Sequence, residues 1–306
     1  MQYYKKGTII YINSHYKLYY NNNVVRIFNY SFYRMTEERK KVAVAIPYYK
    51  NELTDTEMKS LKACIHTLHS YDIYLVSPIT LDTSEIRKQY PLLKVETFED
   101  EYFRNLRGYN KLMLSEDLYI RFTNYTYLLI YQLDAFVFKD ELQAWADKDY
   151  DYIGAPWIHQ AAYCNQEGGT LKCKLKRFWY TLTNNKKRQR KYYWGCIGNG
   201  GFSLRKVSKM QQITHHYKNK IARQLDDSKL FYGEDMWLQF EPSHRFHLRK
   251  PTFKEAIGFA METAPERAYQ WNNYTLPFGC HAFSAEPYKD FWAPFINKQA
   301  DNMFNN

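Results

Sequence analysis

"YLLIYQLDAFVF", residues 127–138, decides the fold. The run is apolar and β-prone almost throughout, as expected of a strand inside a sheet. It carries one carboxylate, Asp134, just past its middle. In open α/β sheets, ligands bind beyond the carboxyl ends of the strands, and Asp134 occupies such an end. Two readings of it stand. Its side chain leaves the apolar layer to meet a cation or a ribose hydroxyl, or it caps the turn before "KDEL" by accepting from backbone N–H groups.

Working outward, the flanking segments alternate. "VAVAIP" (42–47) reads as a buried strand ended by proline. Thr54 and Glu57 form a capping box, with Met58, Leu61, Ile65 and Leu68 on one helical face behind it. "DIYLVS" (72–77) is the next strand, and "YNKLMLSEDLYIRF" (109–122) reads as a helix. Beyond the opening run come a short helix near 141–146 and a strand or turn at "DYIGAPW". This alternation predicts an α/β domain with a mainly parallel sheet flanked by helices. The first forty residues, rich in Tyr and Asn, read as an N-terminal extension. Its strands "GTIIYI" and "NVVRIF" flank a turn at "YYNNN". The expected organisation is an extension (1–40), a main domain (41–290) with a basic insertion (159–193), and a C-terminal tail (291–306).

The chain has 306 residues, 45% hydrophobic and 25% charged, which suits a folded protein of one large or two small domains. Aromatic residues reach 18%, including 30 Tyr. This is an excess that suits ring-lined binding surfaces, and equally a biased genome composition. No apolar run is long enough to cross a bilayer, and the N-terminus lacks a signal peptide's apolar core. A cytoplasmic location is therefore expected. Five cysteines, an odd number without close pairing, fit the same compartment. Cys164 and Cys173 flank a Gly-Gly turn, but a zinc ribbon needs two such pairs.

The net charge of +11 is concentrated. Nine bases and no acid lie between Lys172 and Lys191: Lys172, Lys174, Lys176, Arg177, Lys186, Lys187, Arg188, Arg190 and Lys191. Phe178, Trp179, Tyr180, Tyr192, Tyr193 and Trp194 are interleaved with them or follow directly. Such a mixture suits an anionic membrane surface, single-stranded nucleic acid, or a solvated loop.

Three later stretches carry candidate chemistry. In "WGCIGNGGFSLR" (194–205), Asn199, Gly200 and Gly201 offer little side-chain bulk, so backbone can approach a ligand; an Asn-Gly hairpin turn would look the same. In "YGEDMWLQF" (232–240), Glu234 and Asp235 stand at a helix start, where the dipole favours acids and where a general base could also sit. "PFGCHAF" (277–283) holds His281, structural or a metal donor.

Their order along the chain resembles the GT-A glycosyltransferases. In that superfamily a strand-end acidic motif, a glycine-rich loop, an any-Glu-Asp motif and a C-terminal His follow one another. Here Gln132-Leu133-Asp134, Gly198-Asn199-Gly200-Gly201, Gly233-Glu234-Asp235 and His281 do so, over roughly residues 41–285. More closely, "YNKLMLS", "YLLIYQLDAFVF", "YDYIGAPW", "GNGGFSLR" and "GEDMWL" resemble a bacterial and phage family grouped with the glycosyltransferases. The resemblance implies a GT-A-like fold and transfer of a sugar from a nucleotide-sugar donor, UDP-linked by default. The implied acceptor is a hydroxyl of a cell-surface glycan or lipid-linked precursor, with inversion at the anomeric carbon. It implies Mn2+ or Mg2+ held by Asp134 and His281, with Gln132 departing from the family's usual Asp. Ile46, Pro47 and Tyr48 would cradle the nucleobase, with Tyr48 stacking on it. Lys111 would contact the donor phosphates or base, and Asn199, Gly200 and Gly201 would adjoin the donor. Asp235 would be the general base and Glu234 would orient the acceptor or the loop. The basic segment 172–194 would hold the enzyme at the inner membrane face.

Two rivals differ in class. A sugar nucleotidyltransferase would carry a Gly-rich basic loop after the first strand, whereas "IPYYKNELT" has no glycine. A nucleic-acid binder would be led by the basic stretch, but the charge is confined to one segment, so nucleic acid is not the expected partner.

Overall fold

A computed structural model describes residues 9–13, 16–21, 24–29, 41–158, 170–183, 185, 188, 191–226 and 233–304. The chain divides into two compact units, residues 1–40 and 41–306. In the first, β1 (Ile9–Asn13), β2 (Tyr16–Asn21) and β3 (Val24–Asn29) form an antiparallel sheet in the order β1-β2-β3. The expected turn at "YYNNN" is largely strand, since Tyr19, Tyr20 and Asn21 pair with Arg26, Val25 and Val24.

The second unit is built on six strands: β4 (Val42–Pro47), β5 (Asp72–Pro78), β6 (Lys94–Phe98), β7 (Tyr127–Tyr131), β9 (Tyr152–Gly154) and β10 (Phe202–Lys206). Their order is β6-β5-β4-β7-β10-β9. The first four run parallel, while β10 is antiparallel to both β7 and β9. A small sheet, with β8 (Phe136–Val137), β11 (Ala260–Met261) and β12 (Gly279–Cys280), lies beyond the end of β7 in the chain.

Side-chain alternation sorts the core into layers. Val42, Val44 and Ile46 of β4 pack with Leu61, Cys64 and Leu68 of α1 (Asp55–Thr67) and its C-cap. Ala43, Ala45, Leu128 and Ile130 face the other way, onto Leu118 and Tyr119 of α4 (Glu116–Arg121) and Met210 and Ile213 of α7 (Val207–Asp226). Further helices are α2 (Ser84–Gln89), α5 (Leu142–Asp147), α6 (Leu171–Leu182), α8 (Glu234–Phe240), α9 (Phe253–Phe259) and α10 (Pro265–Trp271). The α1 capping box forms as read: Thr54 Oγ1 accepts from Glu57 N at 3.3 Å and Glu57 Oε2 from Thr54 N at 2.8 Å.

Two expectations change. The helix over 109–122 is two helices, α3 (Leu106–Met113) and α4, because Ser115 breaks the run and caps the second, accepting from Leu118 N at 3.1 Å. The tail over 291–306 is mostly α11 (Lys289–Phe304), which buries Trp292, Ile296 and Ala300 against the core. Hydrophobic spacing at 292, 296 and 300 is that of one helical face, so the segment is part of the domain. Among the described residues, no helix is long and apolar enough to cross a membrane.

Candidate active site

β7 delivers its last turn of chain to the centre of the sheet. Gln132 N donates to Gly201 O at 2.8 Å, tying the strand end to the glycine loop. His281, next to β12, comes over the same point. Its Nε2 lies 2.9 Å from Gln132 Oε1 and 3.0 Å from Asp134 Oδ1. On the other side of the ring, Nδ1 lies 3.1 Å from Glu262 Oε1. Asn199 Nδ2 is also 3.0 Å from Nδ1, a contact that holds only for the tautomer without a proton there. A Cβ on Gly201 would fall 2.0 Å from His281 Nε2 and 2.4 Å from Gln132 Oε1, so the cluster needs glycine at that position.

The electrostatics follow the pairing. Burial disfavours the charged imidazole, but Asp134 and Glu262 outweigh it and raise the His281 pKa to about 10. Burial also pushes Asp134 up, yet the His281 hydrogen bond and charge hold its carboxyl below the usual value.

The glycine loop is fixed from several sides. Tyr152 Oη donates to Asn199 O at 2.8 Å, and Ser203 Oγ to Gly200 O at 2.8 Å. Arg205, fully buried, donates to Gly200 O at 3.2 Å, Tyr119 Oη at 3.1 Å and Glu234 Oε1 at 2.8 Å. Asn199 adopts φ of 48°, a left-handed conformation that Asn tolerates. Lys250, whose pKa burial lowers to about 8, donates to Ile197 O just before the loop and to Gln239 of α8.

Glu234 and Asp235, adjacent in sequence, have separate roles. The Glu234 carboxylate is buried and committed to Arg205, and through it to the loop; its backbone N–H donates to Asn110 Oδ1 of α3. Asp235 accepts its neighbour's N–H, from Met236 at 2.6 Å. Burial, then the charges of Glu234 and Glu262, raise the Asp235 pKa to about 7. Glu262 thus acts on Asp235 and contacts His281, placing both in one electrostatic neighbourhood.

A cavity of about 450 Å³ opens beside this cluster, within the size range of small-molecule sites. Gln132, Leu133 and Asp134 form one wall; Pro47, Tyr48, Tyr49, Tyr102, Phe103 and Tyr109 contribute others, and Arg104 stands on the rim. Among the described residues, Glu234 Oε2 is buried without a hydrogen-bond partner.

The cluster brings together Gln132, Asp134, Asn199, Gly201 and His281, with Gly200 held next to Glu234. Other anticipated residues sit elsewhere. Ile46 belongs to the core; Tyr48 lines the cavity but is 2% exposed, because alternation along β4 turns it to the same layer as Ile46, and Tyr49, 54% exposed, presents more of its ring. Lys111 pairs with Glu101 at 2.7 Å and lines a different hollow with Leu114 and Lys218. Glu262, Arg104 and Tyr49 are not among the residues the sequence points to, and Asn110 stands in "YNKLMLS" next to Lys111. Cys164 lies outside the described residues, as do Lys186, Lys187 and Arg190; Cys173 is a free thiol.

Among the described residues, no group of three or more His, Cys, Asp or Glu side chains is arranged to hold a metal ion. Asp134 Oδ1, Gln132 Oε1 and His281 Nε2 nevertheless converge, with Glu262 behind the ring. Two strong donors and an amide carbonyl fit a hard cation that completes its shell with ligand oxygens and water.

The family model described as "Protein of unknown function (DUF5672)" matches residues 92–281. The chain belongs to the DUF5672 family. No curated protein sequence matches this DUF5672 member. Among solved structures, galactosyltransferase LgtC in complex with donor and acceptor sugar analogs is similar at a TM-score of 0.52 and 12% identity. The match covers 86% of this chain and 96% of that one. Core-mannan synthase A from Aspergillus fumigatus, in an Mn/GDP form, aligns at a TM-score of 0.44 and 9% identity, over 66% and 69% of the two chains. Mouse xyloside xylosyltransferase 1 aligns at 0.45 and 12%, over 79% and 97%. The DUF5672 chain therefore has the mixed α/β fold of the GT-A glycosyltransferases.

Proposed function

We propose that this protein transfers a sugar from a nucleotide-sugar donor to a hydroxyl of a glycan or lipid-linked acceptor. The observation that carries the reading is the meeting of His281 with Asp134 and Gln132, two residues that line an aromatic cavity. That cavity lies at the carboxyl ends of parallel strands, the position where such sheets bind ligands.

The nucleobase would lie against the exposed Tyr49 ring, with Tyr102 and Phe103 nearby, and the diphosphate would extend toward Asp134 and Arg104. Asp134 and His281, assisted by Gln132, would hold Mn2+ or Mg2+. Such a cation supplies Lewis-acid stabilisation of the departing diphosphate. Glu262 would keep the Nδ1 proton of His281, leaving the Nε2 lone pair facing the cation. Asp235 would accept the acceptor hydroxyl's proton, for which a carboxyl titrating near pH 7 is well matched. In this scheme the two acids divide the work: Glu234 shapes the glycine loop through Arg205, and Asp235 touches the acceptor. Inversion, a UDP-linked donor, a cell-surface acceptor and work at the inner membrane face belong to the same proposal.

The test is a thermal-shift screen of nucleotide sugars with and without Mn2+, followed by turnover with the best donor. Asp235→Asn is expected to abolish transfer while leaving calorimetric donor binding intact, and Asp134→Ala to weaken donor and cation binding together. Near wild-type turnover by Asp235→Asn would remove the base assignment. Unchanged titrations with Asp134→Ala would remove the cation site.

A further inference from the structure

α6 is an amphipathic helix mounted the wrong way round. Thr170 caps it, accepting from Cys173 N at 3.3 Å. At about 100° per residue, Leu171, Leu175, Phe178, Trp179 and Leu182 fall within an arc of about 100°. In a globular protein such a stripe faces the core. Here the five residues are 59–69% exposed, and the helix buries no residue at all.

The opposite, polar face is the one attached to the protein. Lys176 Nζ donates to Tyr192 Oη at 3.0 Å, and Arg177 Nη1 to Tyr192 O at 3.1 Å. Arg177 also reaches the Cys196 thiol at 2.5 Å, and Tyr180 stacks on Tyr192 with centroids 6.0 Å apart. The partly buried positions, Cys173, Lys176, Arg177 and Tyr180, are those that point inward. The remaining two bases, Lys172 and Lys174, flank the apolar stripe on either side and are exposed. No acid occurs anywhere from residue 168 to 225.

We infer that the outward face of α6 docks on an anionic lipid surface, with Leu175, Phe178, Trp179 and Leu182 entering the headgroup–acyl boundary and Lys172 and Lys174 resting on the lipid phosphates. The charge is complementary to anionic headgroups, and the apolar stripe supplies the burial that electrostatics alone lacks. Lipid is favoured over single-stranded nucleic acid because three of the five stripe residues are leucines, which give bases no ring to stack on. The inference deepens the inner-membrane part of the proposed function by naming the surface that docks, and it rests on that part alone, not on the transfer reaction. The docking helix is also tied to the approach to the glycine loop, since Arg177 contacts Cys196, two residues before Gly198.

The experiment is co-sedimentation of the full chain, without any sugar donor, with phosphatidylcholine vesicles and with vesicles of phosphatidylcholine and phosphatidylglycerol. Binding is expected only to the second. The triple variant Leu175→Ser, Phe178→Ser, Trp179→Ser and the double variant Lys172→Glu, Lys174→Glu should each weaken it by about tenfold or more. All five positions are exposed, so circular dichroism should stay unchanged. The inference falls if the wild type ignores anionic vesicles or if the triple variant binds as well as wild type. It also falls if a single-stranded oligonucleotide binds more tightly than the vesicles through the same residues, or if the triple variant instead dissolves a dimer. Because transfer is never measured, failure of the enzymatic reading leaves this result standing.

Discussion

Asp235 is the residue whose protonation can be read twice, once in stability and once in rate. Its folded pKa of about 7 lies above the roughly 3.9 of an unfolded Asp. The folded state therefore holds a proton that the unfolded state has lost between those values. Stability is fully present below about pH 4, falls as pH climbs toward 7, and is level above. Asp235→Asn, which mimics the protonated form, should raise the Tm more at pH 8 than at pH 5. Should Asp235 serve as base, kcat/KM of the wild type should rise with pH through a midpoint near 7 and then plateau. A second residue-scale prediction concerns Arg205 and Glu234, both buried. Arg205→Met leaves a carboxylate without its partner and should cost about 3–5 kcal/mol in urea denaturation. Adding Glu234→Leu should recover part of that loss, since the stranded charge is gone. The strand-end triplet, the glycine loop and His281 could be picked out because each is unusual in its local setting. Glu262 could not, because nothing in "AMETAPE" distinguishes a carboxylate that meets a histidine nineteen residues later. Alternation carried past Pro47 buries Tyr48 and exposes Tyr49, both of which line the cavity.

At the scale of elements, the parallel half of the sheet was the legible half. β4, α1 and β5 follow their apolar runs and caps nearly to the residue, since propensity, capping and burial agree there. The antiparallel insertion of β10 between β7 and β9 was not readable, because a strand's neighbours are fixed by tertiary pairing. The two-helix break at Ser115 was available in "SEDL" but was overridden by a continuous apolar pattern. The α1 capping box offers a measurable check. Thr54→Ala removes the side chain that accepts from Glu57 N and should destabilise the protein by about 1 kcal/mol in chemical denaturation. A Thr54→Ser variant should keep most of that stability.

For the whole molecule, the terminal helix is where the sequence reading and the fold part most. Trp292 is fully buried, stacked on Phe138 with centroids 5.7 Å apart. Trp292→Ala should therefore cost about 3–5 kcal/mol, the scale for truncating a buried aromatic, and a chain stopped at residue 290 should not fold cooperatively when followed by near-ultraviolet circular dichroism. Had these residues been a tail, neither change would register. Length and composition alone could not reveal this, since 291–306 mixes Pro294, Asn and Asp with its apolar positions.

β9 has a further consequence, for among the described strands it pairs only with β10, a strand made some way further along the chain. The chain leaving β9 and the chain entering β10 are held side by side, through Ala155 with Gly198 and Trp157 with Cys196. Ring closure of the chain between them depends only logarithmically on how much polypeptide it contains, about 0.6 kcal/mol for each doubling. Lengthening or shortening the chain between residues 158 and 191 should accordingly cost the hydrogen-bonded frame almost nothing, and whatever is carried there begins and ends near the candidate site.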